Sequence, residues 1–305
     1  MRVTARIAGF EPRGRAYALL RTTLAAQALI VLVLDPDGRL FPATAANPGG
    51  VRCDGVHGAA LWCLGGPSAS LLPARLVTIV VLLPAMLGWR PRLVGIPHWY
   101  VTFSLAMAMP VPVGGDYVAQ IATMLLIPVC LGDRRRWHWS PVRAPLAPGW
   151  RGAAYAATLV LRLQVTIIYA TAGLAKAADG RWRDGSVLAM LSTDPRYGLP
   201  GWLRPAGLFL AGHAPLAIGA AWAVIGAEVL LAVAVHGTAG WRRAAFVVGV
   251  VLHAGIVVAF GLPTFGAVMI AVLGYACYAG RRTEGAGSGT ARCAQGAPVI
   301  DAQER

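Results

Sequence analysis

Lysine is nearly absent from this chain. Of its 27 cationic side chains, 26 are arginine and one is Lys176. Charge as a whole is scarce, at 13% of residues against about a quarter in soluble domains. That shortage excludes an ordinary water-soluble domain. Acids are rarer still, 13 against 27 cations, which leaves a net charge of +14. No nucleic-acid motif accompanies the excess. In a membrane protein it is explained by arginines on cytoplasmic loops facing anionic lipid. Cysteine is limited to five residues with no C-x-x-C pair, so neither a thioredoxin-like motif nor a zinc site is expected. Repeats of fixed period and a second domain are also lacking.

What the chain has is apolar length. Apolar residues make up 57% of it, and several runs approach or pass the roughly 20 residues that cross a bilayer. Sliding hydropathy predicts an all-α, polytopic bundle of about eight transmembrane helices in the cell membrane. The spans are 16–34, 71–89, 95–110, 117–132, 153–176, 214–236, 243–261 and 263–280. The third and fourth are short and separated by Met109-Pro-Val-Pro-Val-Gly-Gly-Asp116, which suggests a tight hairpin or a partly re-entrant pair. The first run follows four arginines, as a signal peptide would. Its length and the following Asp35-Pro-Asp37 favour an uncleaved span.

Arginine placement orients the spans. With the N-terminus inside, 17 cations fall on cytoplasmic segments, seven on outer ones, and Arg21, Arg75 and Arg162 within spans. Both termini are therefore expected in the cytoplasm. The organisation reads as a cytoplasmic segment 1–15, a transmembrane domain 16–280 and a disordered cytoplasmic tail 281–305 rich in Gly, Ala and Ser. The run Asp133-Arg-Arg-Arg136-Trp-His-Trp139 then reads as an inner-surface anchor of arginines and interfacial indoles. Cys53 and Cys63 share the first outer loop, where an oxidising exterior favours a disulfide.

Charges inside hydrocarbon are costly and are usually paired or functional. Arg162, Glu228 and His253 lie within spans five, six and seven. At about 1.5 Å per residue their counted depths coincide, so a buried polar layer with an Arg162–Glu228 pair is expected. It fits either a packing staple or a proton or substrate relay. Lys176 lies 14 residues beyond Arg162, roughly 21 Å along the same helix. Its expected company is Asp116, Asp179, Trp182, Asp184 and His213 at the outer boundary. His98 and His236 are placed at the inner side. Two readings of Lys176 are open. It is a snorkelling helix-end cation, or it is a base, because a desolvated lysine can lose its proton and arginine cannot.

The segment Tyr169…Lys176…Trp182-Arg-Asp184-Gly185, followed by Asp194-Pro195-Arg196-Tyr197-Gly198, resembles the horizontally transferred transmembrane (HTTM) domain family. That membrane fold is shared with vitamin K-dependent gamma-carboxylase. Within it the chain is most similar to the sporulation-delaying-protein B family. Gly114-Gly115-Asp116, Gly132-Asp133-Arg134-Arg135, Glu228 and His253 extend the resemblance over roughly residues 15–280. One departure is clear. An aromatic pair that often follows Asp-Gly is replaced by Val187-Leu-Ala-Met190.

The carboxylase resemblance implies a membrane-boundary base at Lys176, with Trp182, Asp184 and Asp116 as its companions, and leaves room for a quinone-like or lipid-like ligand. The toxin-related resemblance implies maturation of a secreted antimicrobial peptide precursor together with a small partner protein. A non-catalytic scaffold is the third reading. No cofactor is evident.

Overall fold

Among the described residues, eight long helices carry the fold. A computed structural model describes residues 2–66, 70–195 and 198–280. The expected disordered tail 281–305, with Cys293, and the Arg196-Tyr197 part of the Asp-Pro motif lie outside the described residues. The helices are α1 (Arg15–Leu34), α2 (Leu72–Leu87), α3 (Pro91–Ala108), α4 (Gly114–Gly132), α5 (Pro148–Ala178), α6 (Ala214–Ala234), α7 (Ala239–Phe260) and α8 (Pro263–Tyr278). Proline sits in the first turn of α2, α3, α5, α6 and α8, where its missing N–H costs nothing. No strand occurs among the described residues beyond one isolated antiparallel bridge, Trp89 with Trp137.

Five of these helices, α1, α4, α5, α6 and α7, are long and apolar enough to cross a membrane. Helices α2 and α8 are apolar but have 16 residues each, or about 24 Å against a hydrocarbon core of about 30 Å. Helix α3 has 18 residues and carries Arg92, Pro97 and His98. The structure is thus a helical membrane-type bundle. Every expected span is a helix, but not every one has crossing length. The break at 109–113 is a short turn, and α3 and α4 form the most extensively packed pair in the molecule.

Helix α1 ties the bundle together. Leu20 and Leu24 pack with residues of α4, α5 and α8 in one core, and Ala25, Ala28 and Leu32 pack with α2 and α3 in a second. Phe41 and Trp62 of the first long loop close the second core. In that loop a disulfide joins Cys53 to Cys63. Arg75, counted within a span, bonds Leu32 O and Asp37 beside that loop. Arg21 is fully buried in α1, with one guanidinium nitrogen 3.5 Å from His138 Nδ1.

The connection from α5 to α6 is more than a loop. It folds into short helices at Gly180–Arg183, Val187–Thr193 and Arg204–Ala211. These pack on one another and on α6. Gly185 makes this possible. It adopts φ +80°, and a Cβ there would lie 2.7 Å from the backbone of Ala217 and Ile218. The first turns of α6 therefore lie against this segment, and α5 packs on the later turns. That offset decides which polar groups meet.

Candidate functional site

The buried positions of α5 form one stripe: Ala154, Thr158, Leu161, Val165, Tyr169 and Gly173. Each is three or four residues from the next, the spacing of a single helix face. Lys176, three residues on, continues that stripe toward the protein interior. On α6 the stripe Ala217, Ala221, Ile225 runs on to Glu228. The two faces meet at Gly173, where a Cβ would lie 3.4 Å from Glu228 Cβ. This close approach brings the ends of both stripes together.

Lys176 Nζ donates to Glu228 Oε1 at 2.7 Å. The Lys176 side chain is 24% exposed and that of Glu228 is 9% exposed. Trp182 lies across the ammonium, with its ring centroid 5.2 Å from Nζ, in cation–π range. Asp179 positions this ring. Its N–H bonds the carbonyls of Ala175 and Lys176 and ends α5, while its carboxylate accepts from Arg181 N at 3.0 Å and starts the next turn. The Arg181 guanidinium holds the Asp179 carboxyl below its ordinary range. Glu228 Oε2 is buried and has no hydrogen-bond partner among the described residues.

Two turns down the same face, Tyr169 Oη lies 2.7 Å from His253 Nε2 of α7. His253 is buried, Phe265 of α8 packs edge-on against its ring, and its Nδ1 lacks a partner among the described residues. Three helices thus supply a polar line through the bundle: Lys176 and Tyr169 from α5, Glu228 from α6 and His253 from α7.

The expected layer is corrected in two respects: Arg162 leaves it, and Lys176, expected apart from it, joins it. Arg162 does not meet Glu228; its Nε donates to Ala276 O of α8 at 2.8 Å. Counting depth from the first residue of each apolar run assumed that α5 and α6 begin and end on common planes. Instead the first turns of α6 lie against the connection at Gly185, and α5 meets α6 at its later turns, Gly173 against Glu228. In the resulting register Thr166 bonds Ala232 O and His236, so Arg162 falls beyond the end of α6 and Lys176 takes Glu228.

Three further candidates are engaged elsewhere. Asp116 Oδ2 accepts from Val113 N at 2.9 Å and caps α4. Asp184 is exposed and accepts from Ser186 N at 2.9 Å, which keeps its carboxyl below the ordinary range. His213 bonds Phe209 O within its own turn. The Tyr169–His253 bond was missed from sequence; its signal was that Tyr169, Gly173 and Lys176 share the buried stripe. Among the described residues no group of three or more His, Cys, Asp or Glu is placed to hold a metal ion.

Comparison with known proteins adds a family context. No family model and no solved structure matches the chain. Two proteins of Bacillus subtilis (strain 168) do. The sporulation-delaying protein SdpB is 29% identical over 267 residues, covering 87% of this chain and 81% of SdpB. The likeness supports an SdpB-like family. The uncharacterized protein YitO is 27% identical over 266 residues, covering 86% of this chain and 85% of YitO. The SdpB-like likeness and the five apolar helices of crossing length together mark a membrane protein.

Proposed function

We propose that this chain is a multi-pass cell-membrane protein that serves maturation of a secreted antimicrobial peptide toxin, with a small partner protein. The action centres on Lys176. The observation that carries this reading is the Lys176–Glu228 contact under Trp182, in a chain otherwise stripped of lysine. Likeness to SdpB over most of the chain supports the toxin context. Glu228 has one oxygen on the ammonium and one unpartnered, so it can accept a proton or hold a donor presented by a substrate. Lysine beside a carboxylate can give up and retake a proton, a step arginine cannot perform. The wider likeness to the HTTM and carboxylase fold, with a quinone-like or lipid-like substrate, belongs to this proposal as its enzymatic form.

A scaffold reading is favoured by a different aspect of the same contact. A direct 2.7 Å ion pair that neutralises both charges is also what a packing staple needs. The two readings separate on whether chemistry at the ammonium matters. Co-expression with a toxin precursor, at matched membrane levels, should show Lys176→Ala losing active peptide by tenfold or more. Undiminished peptide from Lys176→Ala would overturn the reading.

The proposal includes eight crossings with both termini in the cytoplasm, and Gly50 and Gly185 on the outer side. Reporter fusions at those two glycines should register outside, and fusions at Arg143 inside. An inside signal at Gly185 would invert the siting of Lys176.

A further inference from the structure

The run of arginines between α4 and α5 builds a cavity rather than a diffuse charged surface. Arg13, Arg134, Arg135, Arg136 and Arg143 line a space of about 460 Å³. Two of the five form its fixed wall. Arg13 bonds Glu11 at 2.7 Å and Ala144 O at 2.6 Å. Arg135 holds the buried Asp133 through two nitrogens, at 2.9 and 2.7 Å, and reaches Ser140 O. Glu11 and Asp133 thus offset two charges. Arg134, Arg136 and Arg143 are exposed and have no ion pair among the described residues.

The frame is rigid. Burial alternates along 133–136: Asp133 is buried and Arg135 half-buried with its guanidinium on Asp133, while Arg134 and Arg136 are exposed. Arg90 N bonds Arg136 O at 2.7 Å and His138 N bonds Gly88 O at 2.9 Å, which pins the stretch to the α2–α3 turn. Trp137 and Trp139, in the same stretch, expose 37% and 49% of their surface. Exposed indoles at the ends of membrane helices sit at headgroup depth. Three unpaired guanidinia at that depth supply the positive charge and the forked N–H donors that a phosphodiester takes.

We propose that this cavity binds the headgroup of an anionic phospholipid. The three free guanidinia grip its phosphate, and the indoles fix its depth. The site is separate from the Lys176 region and independent of the reading given to it.

The test uses the purified full-length protein in mild detergent, with native mass spectrometry reading lipid occupancy. Phosphatidylglycerol should bind in preference to phosphatidylcholine. Arg143→Gln, a change in an exposed loop, should weaken phosphatidylglycerol about fivefold. The triple Arg134→Gln/Arg136→Gln/Arg143→Gln should weaken it about a hundredfold. A charge-matched control, Arg15→Gln/Arg92→Gln/Arg243→Gln, removes exposed arginines outside the cavity and should keep parental occupancy. Equal losses in both triples would show diffuse attraction and overturn the site. So would parental occupancy in Arg143→Gln, or equal binding of the two lipids. Displacement of phosphatidylglycerol by millimolar inorganic phosphate would assign the cavity to a soluble anion and overturn the lipid assignment.

Discussion

Glu228→Gln is expected to destabilise the purified protein by about 2–3 kcal/mol. The substitution keeps the side-chain volume and removes the charge that Lys176 faces at 2.7 Å. Breaking a fully buried pair typically costs about 3–5 kcal/mol, because the remaining charge is left uncompensated. Lys176 is 24% exposed, so its ammonium can turn partly toward water, and the figure is reduced accordingly. The pairing also predicts non-additivity. Lys176→Met/Glu228→Leu should recover part of the loss seen in Glu228→Gln, since both charges leave together. Asp184→Asn, at an exposed carboxylate that only caps a turn, should shift stability by well under 1 kcal/mol on the scale of surface substitutions. A Glu228→Gln protein as stable as its parent would mean the pair holds nothing together.

Gly185→Ala is expected to be more damaging than its size suggests. The residue adopts φ +80°, which costs a side-chain-bearing residue roughly 1–2 kcal/mol. The new Cβ would also lie 2.7 Å from main-chain atoms of Ala217 and Ile218, which cannot rotate away as a side chain could. The total should reach about 2–4 kcal/mol, within the range of overpacking and backbone effects. The loss should be local: the 180–211 segment lifts from α6, taking Trp182 from above Lys176. Arg181 and Arg183 are exposed, so limited trypsin digestion in detergent reads the event directly. Cleavage there should accelerate by tenfold or more. Parental cleavage kinetics would show that the segment tolerates a side chain at this position.

The Gly185 geometry also explains how much of the site was legible in the sequence. Hydropathy located all eight helices, because apolar runs bounded by Pro, Gly and Arg leave few alternatives. The cysteines of the first long loop were legible as a pair, since only Cys53 and Cys63 share that loop. The company of Lys176 was legible in part: Trp182 is there, and Asp116, Asp184 and His213 are not. Their side chains satisfy turns and caps close to themselves in the chain, a local competition that residue type alone does not reveal.

The depth of Arg162 against Glu228 was misjudged for a tertiary reason. Nothing in the apolar runs says that the α5–α6 connection packs on the first turns of α6. The buried stripes carried the missing information. Tyr169, Gly173 and Lys176 fall on one face of α5, and Ile225 and Glu228 on one face of α6, which already sets Lys176 toward Glu228. Arg162 sits beside that stripe, next to the buried Leu161, and its guanidinium finds a carbonyl of α8 instead.

The central claim is that Lys176 acts through a proton it can lose, and the most direct measurement compares Lys176→Arg with the parent. Arginine keeps the positive charge, can still face Glu228 and can still lie under Trp182, but it stays protonated. Active peptide would be assayed from cells co-expressing the toxin precursor, at matched membrane levels, with the thermal stability of each purified protein recorded alongside. The account predicts near-parental stability for Lys176→Arg and a loss of active peptide comparable to that of Lys176→Ala, by tenfold or more. Full peptide yield from Lys176→Arg would contradict it and leave the contact as a packing staple.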